Sequence, residues 1–197
     1  MNLLIKNFKQ NQSKIVYCIL FLYFLAGLLT FKDYGVSIDE KFQRLSGLHW
    51  LEYLLSFTDL SSLQDIVRLK ISSVVDHTLP IFSQNMKYSV FFDVPAALIE
   101  IIFKIEESKK YFEMRHFLNF FIFFLSSVFF YKILSNRFSN ENVSLIGLVF
   151  YILSPKIYGA SFYNNKDIIF LSVLVISIYY FFKAIDRLEY KNIILLS

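Results

Sequence analysis

The stretch Phe117 to Tyr131 reads FLNFFIFFLSSVFFY, and Asn119 is its only strongly polar residue. The run ends at Lys132, and polar residues follow shortly afterwards. Inside a bilayer the backbone groups must be satisfied within the segment itself, and a helix does this. This stretch therefore predicts a transmembrane helix over about 117–134.

An earlier apolar run, Ile15 to Phe31, has 17 residues without a charge. As a helix with a rise of about 1.5 Å per residue it is about 25 Å long, which is enough to cross a bilayer with modest thinning. Lys6, Lys9 and Lys14 precede it, as in a signal peptide. However, the run is longer than a usual signal core and has no Ala-x-Ala cleavage site before Lys32. We predict a retained membrane anchor.

Two further apolar runs follow along the chain. Val143 to Leu153 reaches Pro155 after 11 residues, so this segment must continue through a kink to about residue 162 in order to cross the bilayer. Ile168 to Phe182 is closed by Lys183. The sequence thus predicts an all-α, polytopic membrane protein with about four transmembrane helices, at about 15–31, 117–134, 143–162 and 168–183.

The composition agrees with this architecture. Hydrophobic residues make up 56% of the chain and charged residues 18%, and the mean hydropathy is +0.50, which is too apolar for an ordinary soluble domain. The 24 Phe and 13 Tyr against 5 Gly and 3 Pro favour helices with aromatic flanks over the turn-rich pattern of an outer-membrane barrel. The net charge of +4 comes from Lys and Arg residues spread beside apolar runs, which argues against nucleic acid as a partner.

The basic residues beside the spans give the expected orientation. With four alternating spans, the clusters of Lys and Arg before residue 15, after residue 131 and after residue 182 all fall on one side. The positive-inside rule makes that side the cytoplasm. We therefore expect a multi-pass integral protein of the plasma (inner) membrane with a cytoplasmic N-terminus, and an outer loop over 32–116.

The outer loop shows helical apolar spacing in three places, at about 38–55, 63–75 and 94–105. The third is the clearest, because its apolar residues recur at i, i+3, i+4, i+7 and i+8 from Val94, with Asp93 as the expected N-cap. Glu100 lies on the other face of this helix. We therefore expect interfacial amphipathic helices, and the third should lie on the membrane rather than cross it.

The segment SIDE, Ser37 to Glu40, follows the first apolar run closely. Ser-x-x-Glu is a capping box, in which the Ser hydroxyl and the Glu carboxylate satisfy N–H groups at a helix start, and Asp39 then has only a helix-dipole role. Successive helical residues point about 100° apart, so Glu40 can cap the helix while Asp39 faces a cavity. For Arg44, a solvated helix face is favoured over the same cavity.

The segment between the third and fourth runs, Ser154 to Asp167, reads SPKIYGASFYNNKD. It carries a proline, a glycine, two lysines, two asparagines and an aspartate, which is more than a loop that only joins two spans requires. One interpretation is a kinked and hydrated helix end, with Lys166 and Asp167 as anchors at the membrane edge. The other is that the segment contributes to a site.

Four stretches together resemble a known family. They are DE (Asp39-Glu40), FFDVPAALIE (Phe91 to Glu100), MRHFLNF (Met114 to Phe120) and SPKIYGASFYNNKD. In this order and placement they resemble the polytopic GT-C glycosyltransferases that take sugars from polyprenyl-phosphate donors, in particular the protein mannosyltransferase-like branch. The resemblance covers most of the chain from Asp39 to about Lys183.

The resemblance implies roles for particular residues. Asp39 and Glu40 are the candidate catalytic residues, with Asp39 as the general base that removes a proton from the acceptor hydroxyl. Asp167 is expected to hold a divalent metal ion or to orient the acceptor; the metal is optional in the family, so no cofactor is assigned with certainty. The leaving lipid phosphate needs compensating positive charge. The remaining candidate substrate-binding residues are Arg115, His116, Lys156, Asn165 and Lys166.

Other functions stay open on the sequence alone. A fifth apolar run begins at Asn192, and the chain ends within it at Ser197, so we expect a single membrane domain over 1–197 that is the N-terminal part of a longer fold. A noncatalytic or truncated membrane subunit is therefore one alternative. A transporter component is another, although its ionisable groups should lie within the spans rather than at one outer edge. The expected partners are a polyprenyl-phosphate-linked sugar donor, membrane lipids and an acceptor that the sequence does not identify.

Overall fold

The structure of the protein is a computed structural model that describes residues 2–74, 90–138 and 140–187, with side chains from residue 14 to residue 185 of those ranges. All regular elements in the described ranges are helices, and no strand occurs among them. The all-α prediction is confirmed. The fifth apolar run and the end of the second predicted amphipathic helix, Val75, lie outside the described residues.

The helices have lengths that follow the sequence patterns. The helix Asn2–Thr30 begins well before the apolar run at 15–31 and ends within it, and the helix Ser108–Arg137 extends beyond the run at 117–131 at both ends. The helices are α1 (Asn2–Thr30), α2 (Ile38–Leu55), α3 (Ser61–Ser72), α4 (Asp93–Ile102), α5 (Ser108–Arg137), α6 (Glu141–Leu153), α7 (Pro155–Tyr163) and α8 (Asp167–Arg187).

Among the described residues, two helices are long and apolar enough to cross a membrane, Ser108–Arg137 and the Asp167–Ile185 part of α8. The pair α6 and α7 adds a third if it is one span, and it is bent by 54° at the break before Pro155. The proline kink is confirmed, since proline has no N–H for the helical ladder. The predicted count of about four spans is too high for the described residues, because the apolar part of α1, Lys14–Thr30, is shorter than the others.

The described residues divide into two compact units. The first takes its residues from 2–29, 120–160 and 168–187, and the second from 30–119 and 161–167. The first unit therefore contains most of the apolar helical segments. The second contains the three helices of the predicted outer loop and the short segment that ends at Asp167.

Aromatic side chains hold the first unit together. Tyr23 packs on Phe120 with ring centroids 5.4 Å apart, and Phe24 packs on Phe124 at 4.8 Å. Tyr151 of α6 stacks on Phe130 of α5 at 4.4 Å. Polar side chains in these helices are satisfied locally, since fully buried serines donate to carbonyl oxygens three or four residues earlier, as at Ser126, Ser127 and Ser172.

The second unit has a small apolar core of its own. It is formed by α2, α3 and α4, and its buried members are Leu48, Leu51, Leu55, Val67, Ala97 and Ile101. The predicted amphipathic helices are present, and they bury apolar residues against one another. Two residues of the predicted apolar faces are exposed instead, Ile38 at 93% and Ile102 at 61%. The position of these helices at a membrane surface stays a prediction.

Gly47 of α2 lets this helix approach the start of α4. A Cβ atom on Gly47 would lie 2.5 Å from the Asp93 carbonyl oxygen and 2.8 Å from its carbon. These are backbone atoms, so they cannot rotate away as a flexible side chain can. The small residue is thus required by the close contact between the two helices.

We expect Gly47→Ala to lower the free energy of unfolding by about 1–3 kcal/mol, the usual cost of overpacking a tight contact. Gly159→Ala is the matched control, because a Cβ atom there meets nothing within 4 Å. Thermal unfolding of the detergent-solubilised variants measures both effects. Equal stability of the two alanine variants would contradict the close approach at Gly47.

Candidate functional site

A cavity of about 220 Å³ lies within the second unit. It brings together the start of α2 and the segment that leads into α8, which are far apart in the sequence. Asp39 and Asp167, the two acids singled out by the sequence, both line it. The lining residues are Ser37, Ile38, Asp39, Gln43, Tyr163, Asn164, Lys166 and Asp167.

The two adjacent carboxylates at the start of α2 have different surroundings. Glu40 is only 1% exposed. Its Oε2 accepts the backbone N–H of Ser37 at 2.6 Å, and its Oε1 accepts from Nε2 of His116 at 2.9 Å. Asp39 is exposed and lines the cavity. The capping role predicted for Glu40 is confirmed, and the Asp39 carboxylate is the one that faces the cavity.

His116 is itself buried, at 1% exposure. Its Nε2 is hydrogen-bonded to Glu40, while its Nδ1 has no hydrogen-bond partner among the described residues. The pair connects α5 with the first turn of α2. His116 therefore contacts the helix end that carries Asp39, and it does not line the cavity.

Asp93 connects three parts of the second unit. Its Oδ1 accepts from Nη2 of Arg115 at 2.5 Å and from Nδ2 of Asn165 at 2.9 Å. Burial raises the pKa of Asp93 above its ordinary value, although Arg115, Asn165 and Lys166 each act to lower it. The FFDVP, MRH and NNKD stretches thus meet at one buried carboxylate.

The predicted N-cap role of Asp93 is wrong. Phe92 occupies the N-cap position of α4, and Asp93 is the first helical residue. Its side chain points to Arg115 and Asn165 because the buried guanidinium needs a counter-charge. Local sequence rules describe caps well, but they carry no information about a cation 22 residues further along.

Glu100 lies at the centre of a second charged cluster. It is 1% exposed. Its carboxylate accepts hydrogen bonds from Nε of Arg44 at 2.9 Å, from Nη2 of Arg44 at 2.7 Å and from Nζ of Lys70 at 2.9 Å. The Arg44 guanidinium also lies 3.8 Å from the centre of the Tyr111 ring. Burial acts to raise the pKa of Glu100, but the bonds from Arg44 and Lys70 outweigh it and lower the pKa.

This cluster corrects two expectations. Glu100 was expected on the exposed face of an interfacial helix, and Arg44 on a solvated face of α2. Both side chains are instead largely buried, Glu100 at 1% exposure and Arg44 at 11%. They can be buried because each charge is paired with the opposite charge of the other. The ion pair joins α2 to α4, and Lys70 adds α3 to the same cluster.

The segment before α8 is fixed by Asn164. The Oδ1 of Asn164 accepts the backbone N–H of Asp167 at 2.9 Å and that of Lys166 at 3.3 Å. Its Nδ2 donates to Oδ2 of Asp167 at 3.1 Å. The Asn164 side chain thus bonds to the backbone two and three residues further along, as in an Asx turn, and the hydration of this helix end stays a prediction. Asp167 and Lys166 are both exposed, and both line the cavity.

The other predicted substrate-binding residues lie away from the cavity lining. Asn165 is buried against Asp93, Arg115 is 2% exposed on the same carboxylate, and Lys156 is exposed near the start of α7 in the first unit. Among the described residues, no group of three or more His, Cys, Asp or Glu side chains is clustered as a metal site requires.

Comparison with known protein families gives a match over residues 93–197, more than half of the chain, to the family described as dolichyl-phosphate-mannose-protein mannosyltransferase. The chain belongs to this family. No curated protein and no solved structure matches it. The matched region includes Asp93, Arg115, His116 and Asp167, whereas Asp39 lies before it.

Membership of this mannosyltransferase family confirms the resemblance seen in the sequence. The family consists of membrane glycosyltransferases of the GT-C type, and the apolar helices of the chain fit an integral membrane protein.

The sequence motifs did not predict that Gln43 lines the cavity, nor that Asp93 and Glu100 are buried and bonded to cationic side chains. The available signal for the pairings was local: each carboxylate is flanked by apolar residues, as in FFDVP and LIEII, so each needed a buried cation.

Proposed function

We propose that this chain acts in the transfer of a sugar from a polyprenyl-phosphate donor to a hydroxyl acceptor. The observation that supports the proposal is the cavity in the second unit, which is lined by Asp39 at one end of the sequence and by Lys166 and Asp167 at the other. A general base and a cation on one small cavity are the two functions that such a transfer needs. The family contributes the reaction class.

In the proposed step, Asp39 removes the proton of the acceptor hydroxyl. The acceptor oxygen then forms a bond with the anomeric carbon of the sugar, and the bond between that carbon and the phosphate oxygen breaks with its electron pair on the phosphate. Attack opposite the leaving group inverts the anomeric centre. A carboxylate placed for this proton transfer contributes about 10²- to 10⁴-fold.

Glu40 has a supporting role in this proposal. Both of its oxygens are engaged, one by Ser37 and one by His116, so it has little capacity to accept a proton from a substrate. We propose that Glu40 and His116 hold the first turn of α2, and with it the Asp39 carboxylate, at the cavity. Arg115 is proposed to act similarly through Asp93 and Asn165 on the segment that carries Lys166.

Lys166 is the proposed partner of the lipid phosphate. It is exposed on the cavity lining, and an ammonium group there compensates the charge that develops on the leaving phosphate. Asp167, fixed by Asn164 at the start of α8, is proposed to orient the acceptor hydroxyl. Lys156 is not included in this site, because it belongs to the first unit.

The topology of the proposal follows the basic flanks of the spans. The cavity residues are proposed to face the outer side of the plasma membrane, and the N-terminus the cytoplasm. The lipid-linked sugar would then reach the cavity from the outer leaflet. The acceptor is a compound with a free hydroxyl group.

The proposal is tested by reconstituting the full chain in liposomes with polyprenyl-phosphate mannose and a serine- and threonine-containing peptide as hydroxyl acceptor, and measuring release of polyprenyl phosphate and mannosylation of the peptide. We expect release with the wild type and an increase of about tenfold in the donor KM for Lys166→Ala, because one charge-assisted contact is lost. Lys41→Ala is the control, since Lys41 is exposed on α2 and does not line the cavity. Absence of release from the wild type, or equal effects of the two variants, would contradict the proposal.

A further inference from the structure

Gln43 lies one helical turn after Asp39 on α2. Residues four apart in a helix share a face, and both of these line the cavity. Their exposure differs: Asp39 is exposed, whereas Gln43 is only 9% exposed. Gln43 therefore forms a deeper part of the lining, below the carboxylate that is proposed to act as the base.

The amide oxygen of Gln43 is buried without a hydrogen-bond partner among the described residues. Burying an acceptor in this state is unfavourable, and native proteins avoid it unless the group has another use. Both oxygens of Glu40 are bonded, and the Asn164 side chain is bonded to the start of α8. The Nδ1 of His116 and the Oδ1 of Asn165 likewise have no partner among the described residues, but neither residue lines the cavity. A hydroxyl group of a molecule that enters the cavity would supply the donor that this oxygen of Gln43 lacks.

The lining indicates what kind of molecule that is. It offers a hydroxyl from Ser37, amides from Gln43 and Asn164, and two carboxylates, with Tyr163 as an aromatic wall. Such a set suits a ring that carries several hydroxyl groups better than an apolar chain. At about 220 Å³ the cavity is smaller than the roughly 300–1,000 Å³ of sites for drug-sized ligands, so it fits a small polar group and not the lipid.

We propose that Gln43 binds a hydroxyl group of the donor's sugar ring and thereby contributes to the choice of sugar. This inference rests on the proposed function and adds to it a specificity-determining residue. The sugar hydroxyl donates to Oε1 of Gln43. A site built around such a bond discriminates against sugars that lack the hydroxyl, because the amide oxygen then stays buried and unpaired.

The test compares Gln43→Met with Gln64→Met in the full chain, reconstituted in nanodiscs. Met has a similar shape to Gln but lacks the amide, and Gln64 lies on α3 in the same unit, outside the cavity lining. Binding of polyprenyl-phosphate mannose is measured without an acceptor, and polyprenyl phosphate without a sugar is measured in parallel. The melting temperature of each ligand-free variant is recorded as well.

We expect Gln43→Met to weaken binding of polyprenyl-phosphate mannose about tenfold. Binding of polyprenyl phosphate should be unchanged, and Gln64→Met should bind both lipids like the wild type. The melting temperature of ligand-free Gln43→Met should equal or exceed that of the wild type, because the variant loses an unsatisfied buried acceptor. This combination separates a ligand contact from a structural one.

Three results would overturn the inference. Equal affinity of wild type and Gln43→Met for the mannose lipid would exclude the sugar contact and leave the proposed function standing. A clear drop in the melting temperature of ligand-free Gln43→Met would show that Gln43 is a structural residue. Absence of saturable binding of the mannose lipid to the wild type would overturn both the inference and the proposed function.

Discussion

Asp39→Asn is expected to lower the rate of sugar transfer by about 10²- to 10⁴-fold, the usual contribution of a positioned general base. Asn keeps the size of the side chain but cannot accept the proton of the acceptor hydroxyl. Since Asp39 is exposed at the cavity, the substitution should leave folding unchanged. The loss should therefore appear in kcat, with donor affinity close to that of the wild type.

The rate is measured as polyprenyl phosphate released from polyprenyl-phosphate mannose in liposomes that also contain the peptide acceptor. Asp33→Asn is a matched control, because Asp33 is an exposed aspartate of the same unit that does not line the cavity. It should retain the wild-type rate. Undiminished transfer by Asp39→Asn would remove Asp39 from the mechanism, and an equal loss in both variants would indicate an effect of charge alone.

Asp93→Ala is expected to lower the free energy of unfolding by about 3–5 kcal/mol, because it leaves the buried Arg115 guanidinium without a counter-charge. Asn165 loses its bond at the same time, and with it the contact that holds the segment before α8. Chemical or thermal unfolding in detergent measures the change. The transfer rate should fall as well, since that segment carries Lys166 and Asp167.

Two further variants make the test of Asp93 specific. Asp65→Ala removes an exposed ion pair with Arg68, 3.7 Å apart, and should cost no more than about 1 kcal/mol. The double variant Asp93→Leu with Arg115→Met removes both charges, and should recover much of the lost stability while transfer stays low. A small effect of Asp93→Ala, similar to that of Asp65→Ala, would contradict the role of Asp93 as a buried connection.

The features predicted correctly from the sequence are those that depend on neighbours within a few residues. Apolar runs predicted the long helices, Pro155 predicted the bend between α6 and α7, and the Ser37 to Glu40 spacing predicted the capping of α2. The count of spans was too high because the apolar part of α1, Lys14–Thr30, is at the lower end of the length that crosses a bilayer, although the helix itself is longer.

The features that were missed depend on how helices pack. Arg44 and Glu100 are 56 residues apart, and Asp93 and Asn165 are 72 apart, so no local pattern shows that they meet. Each was assigned to a cap, a solvated face or a substrate, the usual uses of an isolated polar residue. The packing of α2 against α4 pairs Arg44 with Glu100, and the segment before α8 brings Asn165 to Asp93.

A direct measurement of the site is photo-crosslinking with polyprenyl-phosphate mannose that carries a small diazirine on the sugar, followed by mass spectrometry of the labelled peptides. We expect labels in both 37–43 and 163–167, the two segments that line the cavity, and competition by unmodified donor. Labels confined to other parts of the chain, or to only one of the two segments, would contradict a sugar site in this cavity.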